Sequence, residues 1–247
     1  MGALRVVVAA HKPYAMPDDP VYLPLQVGAV GRATIAGFAR DDEGDSISSR
    51  NTGWCELTGL YWAWKNLDAD AVGLVHYRRH FKGAHGIATG AELEGRLASA
   101  DAILPVPRNY FIESTYSQYA HAHHAQDLDV TREVLAGRHP ECLAAFDAAM
   151  KSTKGHRFNM FVMKREYFDA YCAWLFDILF ELEKRLDISS YSPYDARVFG
   201  FVSERLLDVW IETKDISYKE LPCMFMENQN WIVKGGNFLL RKIGIKK

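Results

Sequence analysis

The sequence predicts an α/β fold, a mostly parallel Rossmann-like sheet flanked by helices, and three observations lead there. Residues 4–10 and 71–75 are short apolar runs without polar alternation, the pattern of strands covered on both faces. Between them, residues 56–65 place apolar side chains three and four apart, as an amphipathic helix does. The resulting β–loop–α–β order is the opening of a doubly wound sheet. With 247 residues, 49% of them hydrophobic, the chain can fill one sizeable core. No repeat, low-complexity stretch or break in composition divides it, so residues 1–247 read as one domain.

Each element follows in turn. The first run stops at His11-Lys12-Pro13. Residues 16–44 are punctuated by Pro and Gly and lead into the acidic stretch 41–45, so a long loop with at most one short strand is expected. Ser48 or Ser49 is placed to cap a single helix that runs to Lys65 and ends at Asn66-Leu67-Asp68. After the strand at 71–75, residue 76 opens the loop at its carboxyl end. Helix is expected over 91–100, strand over 102–106, one or two helices over 114–136, and helix over 141–150. Strand follows over 158–163, a long amphipathic helix over 165–186, and a last helix over 200–213. A strand containing Trp231 and a basic tail, Arg241 to Lys247, close the chain.

Composition excludes several classes. Lys and Arg total 29 against 31 Asp and Glu, a net charge of −2 that gives no general attraction to nucleic acid or anionic lipid. Any polyanion must meet a local basic cluster. The four cysteines form no C-x-x-C pair, which argues against a zinc knuckle or thioredoxin-type site. Only Val6 to Ala10 form an apolar run near the start, too short for a signal core or a membrane span, so a soluble cytoplasmic protein is expected. Met-Gly at the start lacks the Ser or Thr that myristoylation needs at position six. The basic tail is read either as a frayed end or as a peripheral contact with the inner face of a membrane. Oligomeric state is not legible.

The densest chemistry is His76-Tyr77-Arg78-Arg79-His80, placed directly after a buried strand. In open α/β sheets ligands bind outside the carboxyl ends of strands, and two adjacent guanidinium groups suit a diphosphate. The alternative is a solvated basic turn. Arg50 and Asn51, at a helix start, could offer free N–H groups to a phosphate or ribose, or could belong to an ordinary Ser-capped turn. Tyr119 and His123 lie on an aromatic, histidine-rich helix able to stack on a sugar. Of the histidines there only His121 and His124 have usable metal spacing, and no further ligand is assigned, so no zinc site is expected. His11 and Lys12 follow the first strand, where they would face a nucleotide or simply solvent. Trp62, Trp64, Trp174 and Trp210 read as core or partner surface rather than a sugar platform.

The segment Ser-Arg-Asn-Thr-Gly (49–53) followed by a buried strand and a polar loop resembles the front half of a GT-A-type glycosyltransferase. In large inverting enzymes of that fold an Ala-Arg-Asn-x-Gly helix start precedes a strand ending in an Asp-x-Asp metal motif. Here His76-Tyr77-Arg78 stands in the motif's place, so Mg²⁺ or Mn²⁺ would lose its usual oxygen ligands and protein cations would neutralise the diphosphate. Cys-Glu-Leu-Thr-Gly-Leu-Tyr-Trp-Ala-Trp-Lys-Asn (55–66), Gly-Leu-Val-His-Tyr-Arg-Arg-His-Phe (73–81), Phe-Asn-Met-Phe (158–161) and Gly-Phe-Val-Ser-Glu-Arg-Leu (200–206) resemble the domain-of-unknown-function 4422 family over essentially the whole chain. That family is associated with capsular and exopolysaccharide synthesis, and galactofuranose transfer is suggested for some members.

The resemblance implies an inverting transfer from a nucleotide-sugar, a UDP-sugar such as UDP-galactofuranose, to a lipid-linked or oligosaccharide acceptor in a capsular, exopolysaccharide or O-antigen glycan. Arg78 and Arg79 would hold the diphosphate, with His76, Tyr77, His11, Lys12, Arg50 and Asn51 around the donor. Asn159 would meet the sugar, and Tyr119, His123 and Asp195 the sugar or acceptor. Glu204, expected in the first turn of its helix, would be the base, with Asp195 in reserve. A plain helix-start carboxylate paired with Arg205 or Arg197 is the alternative for Glu204. Two other classes stay open: a non-catalytic glycan- or nucleotide-binding module, and a hydrolase pairing Glu204 with Asp195.

Overall fold

The computed structural model describes residues 3–227, so the expected Trp231 strand and basic tail lie outside the described residues. Strand β1 (Leu4–Ala10) runs through the middle of the sheet, and Val6, Val7 and Val8 are wholly buried. Alternate side chains feed different cores: Val6, Val8 and Ala10 go to one face, Val7 and Ala9 to the other. Fully burying each valine contributes roughly 1.5–3 kcal/mol, which explains an apolar run without alternation.

The stretch expected as loop holds two strands, β2 (Tyr22–Gln26) and β3 (Ala39–Arg40), both parallel to β1. Their Pro and Gly content masked them, because a parallel edge is set by pairing with β1 rather than by local propensity. The single capped helix is also corrected. Ser48 begins a 3-10 turn and donates its hydroxyl to the buried Asp41 instead of capping. A short helix α1 (Asn51–Trp54) ends at Cys55, whose φ of 51° is left-handed, before α2 (Leu57–Asn66) resumes. Asn51 spans that break, its amide donating to the Cys55 carbonyl at 2.7 Å and to Thr58 Oγ1 at 3.1 Å.

Strand β4 (Ala71–His76) lies beside β1, and β5 (Arg79–Phe81) turns straight back on it, with His76 opposite Arg79. The expected open loop is therefore a tight hairpin. Helix α3 (Gly90–Leu97) is opened by Thr89 and Glu92 in a reciprocal capping box. Next come β6 (Ala102–Pro105), the short β7 (Arg108–Asn109), α4 (Thr115–Ala122), α5 (Ala125–Arg138) and α6 (Leu143–Lys151). A short β8 (Lys154–Gly155) pairs with β7. Strand β9 (Phe161–Lys164) starts later than expected, since Phe158 and Asn159 have φ of 77° and 50° and cannot join a ladder.

The long helix α7 (Arg165–Arg185) buries Phe168, Tyr171, Cys172, Leu175, Phe176, Ile178, Leu179 and Leu182 on one stripe. Helix α8 (Val198–Thr213) starts two residues before the expected point and leads into β10 (Tyr218–Leu221) and β11 (Cys223–Phe225). The sheet order is β10-β6-β9-β4-β1-β2-β3, with β11 joined through β5. The order is mostly parallel: only β9 on that path runs against its neighbours. Helices α2 and α5 to α8 contribute to the core on one face, and α3 covers the other. No helix among the described residues is long and apolar enough to cross a membrane.

Candidate functional site

Reversal of β9 brings three chain segments to one edge of the sheet. The carboxyl ends of β4 and β6 and the amino end of β9 meet there, because Leu74 pairs with Phe161 and Ile103 with Val162. A cleft of about 510 Å³ opens at this edge, closed on its far side by α4 and the first half of α8. It is where an open α/β sheet presents ligands.

Six arginines line the cleft, Arg78, Arg79, Arg108, Arg157, Arg197 and Arg205, against three carboxylates, Glu56, Glu113 and Glu204. Not all six are available to a ligand. Arg157 is 3% exposed and spends its donors on the His156 carbonyl, Asp208, Thr115 and Tyr110, so it forms the floor. Arg205 is held by the Phe201 carbonyl at 2.9 Å, Glu204 at 3.1 Å and Gln118 at 3.2 Å. Arg197 donates to Cys55 Sγ at 3.1 Å. Burial, with Glu56 adding to it, pushes the Cys55 thiol up to about 11 and leaves it an unreactive thiol.

The hairpin arginines are freer. Arg79 packs its guanidinium over the Phe158 ring at 4.5 Å, and its Nε is buried without a hydrogen-bond partner. No carboxylate among the described residues pairs with it. Arg78 reaches Glu227 at 3.6 Å and is 45% exposed. His76 Nε2 lies 2.6 Å from the Phe158 carbonyl, which makes Nε2 the protonated nitrogen. Burial holds this imidazole below the usual histidine range, against the pull of Glu56.

The residues expected from the sequence separate into four groups. His76, Arg78, Arg79, His123 and Glu204 line the cleft together. Beside it, Tyr77 gathers His11 edge-on at 5.4 Å, Lys12 at 5.6 Å and Arg78 at 5.1 Å from its ring. Burial, and then the neighbouring Arg78 and Lys12, lower the His11 pKa.

A third group stands behind the walls. Tyr119 is fully buried and donates to Asp127 at 2.8 Å. Asp195 backs His123 at 3.3 Å, which also stacks on Phe201 with centroids 4.2 Å apart. Asn159 donates to Glu56 at 2.6 Å and to the Gly200 carbonyl at 3.1 Å, and accepts from Ser203. Arg50 and Asn51 form the fourth group and do not line the cleft. Arg50 pairs with Glu183 and lies over the Phe180 ring, while Asn51 is spent on the Cys55 break. Glu204 is the seventh residue of its helix rather than part of the first turn, and it pairs with Arg205.

Glu56, Arg108, Glu113 and Arg157 line the cleft without a site role expected from the sequence, and Arg197 and Arg205, expected only as partners of Glu204, line it too. Glu56 and Arg205 lie inside the motifs at 55–66 and 200–206 and Arg157 adjoins the one at 158–161, whereas Arg108, Glu113 and Arg197 carry no local signal. A divalent cation is what the resemblance to GT-A enzymes implies at this place, but the donor set of the hairpin at the end of β4 does not fit one. It consists of an imidazole already bonded to a carbonyl, a phenol and two guanidinium groups. Among the described residues no group of three or more His, Cys, Asp or Glu side chains is arranged to hold a metal ion.

Known proteins supply the remaining context. No curated protein matches the chain. Among solved structures it is similar to the apo form of WbbM, a bifunctional glycosyltransferase, at 28% identity and a TM-score of 0.85. The match covers 92% of this chain and 46% of that one, so the present chain spans less than half of WbbM. The shared architecture is the GT-A-like α/β sheet expected from the sequence. Residues 5–215 match the domain of unknown function DUF4422, and the chain therefore belongs to the DUF4422 family.

Proposed function

We propose that this chain is a glycosyltransferase domain that moves a sugar from a nucleotide-sugar to a hydroxyl of a growing surface glycan, with inversion at C1. The donor is a UDP-sugar, with UDP-galactofuranose the first to test, and the product a capsular, exopolysaccharide or O-antigen chain. The observation that carries this reading is the cleft at the carboxyl edge of the sheet, where arginines outnumber carboxylates six to three. Similarity to a bifunctional glycosyltransferase supports it.

In such a transfer negative charge grows on the leaving diphosphate as the bond to C1 breaks. Preorganised cations in a partly dehydrated site stabilise that charge best. Arg78 and Arg79 take this role, and the Tyr77 cluster with His11 and Lys12 receives the nucleoside. Protein cations thus do the work that a divalent ion does in other sheets of this kind. The acceptor lies at the wall where Tyr194 and Phe201 present aromatic surface to the cleft, with His123 packed against both. A lipid-linked acceptor would bring the chain to the inner face of a membrane, with the basic tail as the contact.

A thermal-shift screen against UDP-, GDP-, dTDP- and CMP-sugars, each with Mn²⁺ and with EDTA, tests the reading. A stabilising shift with UDP-sugars that survives EDTA is expected. No shift with any nucleotide refutes it.

A further inference from the structure

We propose that Glu56 takes the proton from the attacking acceptor hydroxyl and that Asn159 is the residue that positions it. The assignment rests on the transferase reading above and replaces Glu204 as the base. Glu56 is the residue on which α2 begins, delivered to the cleft wall by the left-handed turn at Cys55, and its side chain is 12% exposed. One carboxylate oxygen accepts from Asn159 at 2.6 Å; the other has no hydrogen-bond partner among the described residues.

Asn159 is built for this contact. Both hydrogens of its amide are spent inside the protein, on Glu56 and on the Gly200 carbonyl at 3.1 Å, and its oxygen accepts from Ser203 at 3.0 Å. No amide hydrogen is left to read a sugar, and the residue is buried. Phe158 and Asn159 are consecutive non-glycine residues with positive φ, a strained conformation that collects at functional sites. The result is specific: the Asn159 amide faces Glu56, and the Phe158 carbonyl faces His76, whose Nε2 is 3.9 Å from Glu56. His76 in turn is the ladder partner of Arg79. Glu56 therefore stands beside the hairpin that holds the leaving group.

The other two cleft carboxylates are engaged differently. Glu204 is bonded to the Arg205 guanidinium at 3.1 Å, and Glu113 to His121 at 2.7 Å. A proton arriving on Glu204 would cost that ion pair, whereas a proton on Glu56 meets a neutral amide and a free oxygen. In the step itself the acceptor oxygen bonds to C1 of the donor sugar. The C1–O bond to the diphosphate breaks with its electron pair going to the phosphate oxygen, and the hydroxyl proton passes to Glu56, which later loses it to water.

The test compares Glu56→Gln, Glu204→Gln and Asn159→Ala in transfer from UDP-galactofuranose to a synthetic galactoside, with UDP binding measured by calorimetry. Loss of the base is expected to lower kcat about 10²- to 10⁴-fold in Glu56→Gln. UDP affinity and melting temperature should stay near those of the parent chain, and Glu204→Gln should lose far less turnover than Glu56→Gln. Asn159→Ala should lower kcat without weakening UDP binding and displace the acidic limb of the kcat–pH profile. If Glu56→Gln does not fold, Glu56→Ala with added formate serves instead, since a small carboxylate restores turnover only where a base has been removed. Full activity in Glu56→Gln, or no formate rescue of a folded Glu56→Ala, overturns the assignment. A parent chain that binds no UDP and transfers nothing overturns the transferase reading itself.

Discussion

The two hairpin arginines are adjacent in sequence but are expected to differ in what their removal costs. Arg79 has no acidic partner among the described residues, has its Nε buried, and sits over the Phe158 ring. An uncompensated guanidinium 4 Å from a phosphate oxygen, at an effective dielectric of about 20, gains roughly 4 kcal/mol before desolvation. As a charged hydrogen bond the net value falls to about 2–3 kcal/mol. Arg78 is 45% exposed and shares its charge with Glu227 at 3.6 Å, so screening leaves it about 1 kcal/mol or less. Arg79→Ala should therefore lower kcat/KM for a UDP-sugar on the order of 30- to 150-fold, and Arg78→Ala about 5-fold. Calorimetry with UDP at low and high salt provides a second reading. The Arg78 contribution should fade with salt and the Arg79 contribution persist. An Arg78→Ala loss equal to or larger than that of Arg79→Ala would refute the reasoning, because it would mean that burial and pairing do not govern the charge felt by the ligand.

Three further outcomes are expected. Burial lowers the His80 pKa from 6.5 to about 4, so as pH falls the unfolded chain takes up its proton first. The stability this residue protects is intact above about pH 6.5 and is lost progressively toward pH 4, by about 3 kcal/mol, and urea titrations of His80→Leu should show a shallower acid decline. Gly73→Ala would set a methyl 2.9 Å from Val162 Cγ2 and 3.0 Å from the Phe161 carbonyl at the centre of the sheet, destabilising the chain by about 1–3 kcal/mol in thermal unfolding. Arg50→Ala, which removes only the Glu183 pair and its aromatic contacts, should leave UDP affinity unchanged in calorimetry; a clear loss would place Arg50 in the donor site after all.

Legibility in the sequence followed the range of the interaction that decides each feature. Strands β1 and β4 could be read because burial on both faces leaves an apolar run, and α7 because its stripe repeats every three to four residues. Strands β2 and β3 could not, since a proline stands inside β2, β3 is only two residues long, and both are ordered by pairing rather than by an apolar run of their own. The break at Cys55 escaped for a related reason. Its left-handed residue is held by Asn51 and by the Asp41 hub, which gathers Gly28, Ala29, Ser48 and Thr58. No local propensity announces a helix interrupted in this way.

The sequence by itself determined the α/β class, the placement of His76 to Arg79 at the carboxyl end of a buried strand, and the likeness to the DUF4422 family. Each of these is written in periodicity or in a contiguous motif. Only the tertiary structure decided which of the charged side chains share one cleft. Arg50 turned to Glu183, Asn159 turned to Glu56, and Arg157, Arg197 and Arg205 came in from segments on either side of α7. The physical reason is that a site's electrostatics depend on distances between side chains dozens of residues apart. Those distances are set by how β9 reverses between β4 and β6 and by the close approach of α8 over Gly53, and neither is encoded within one stretch of chain.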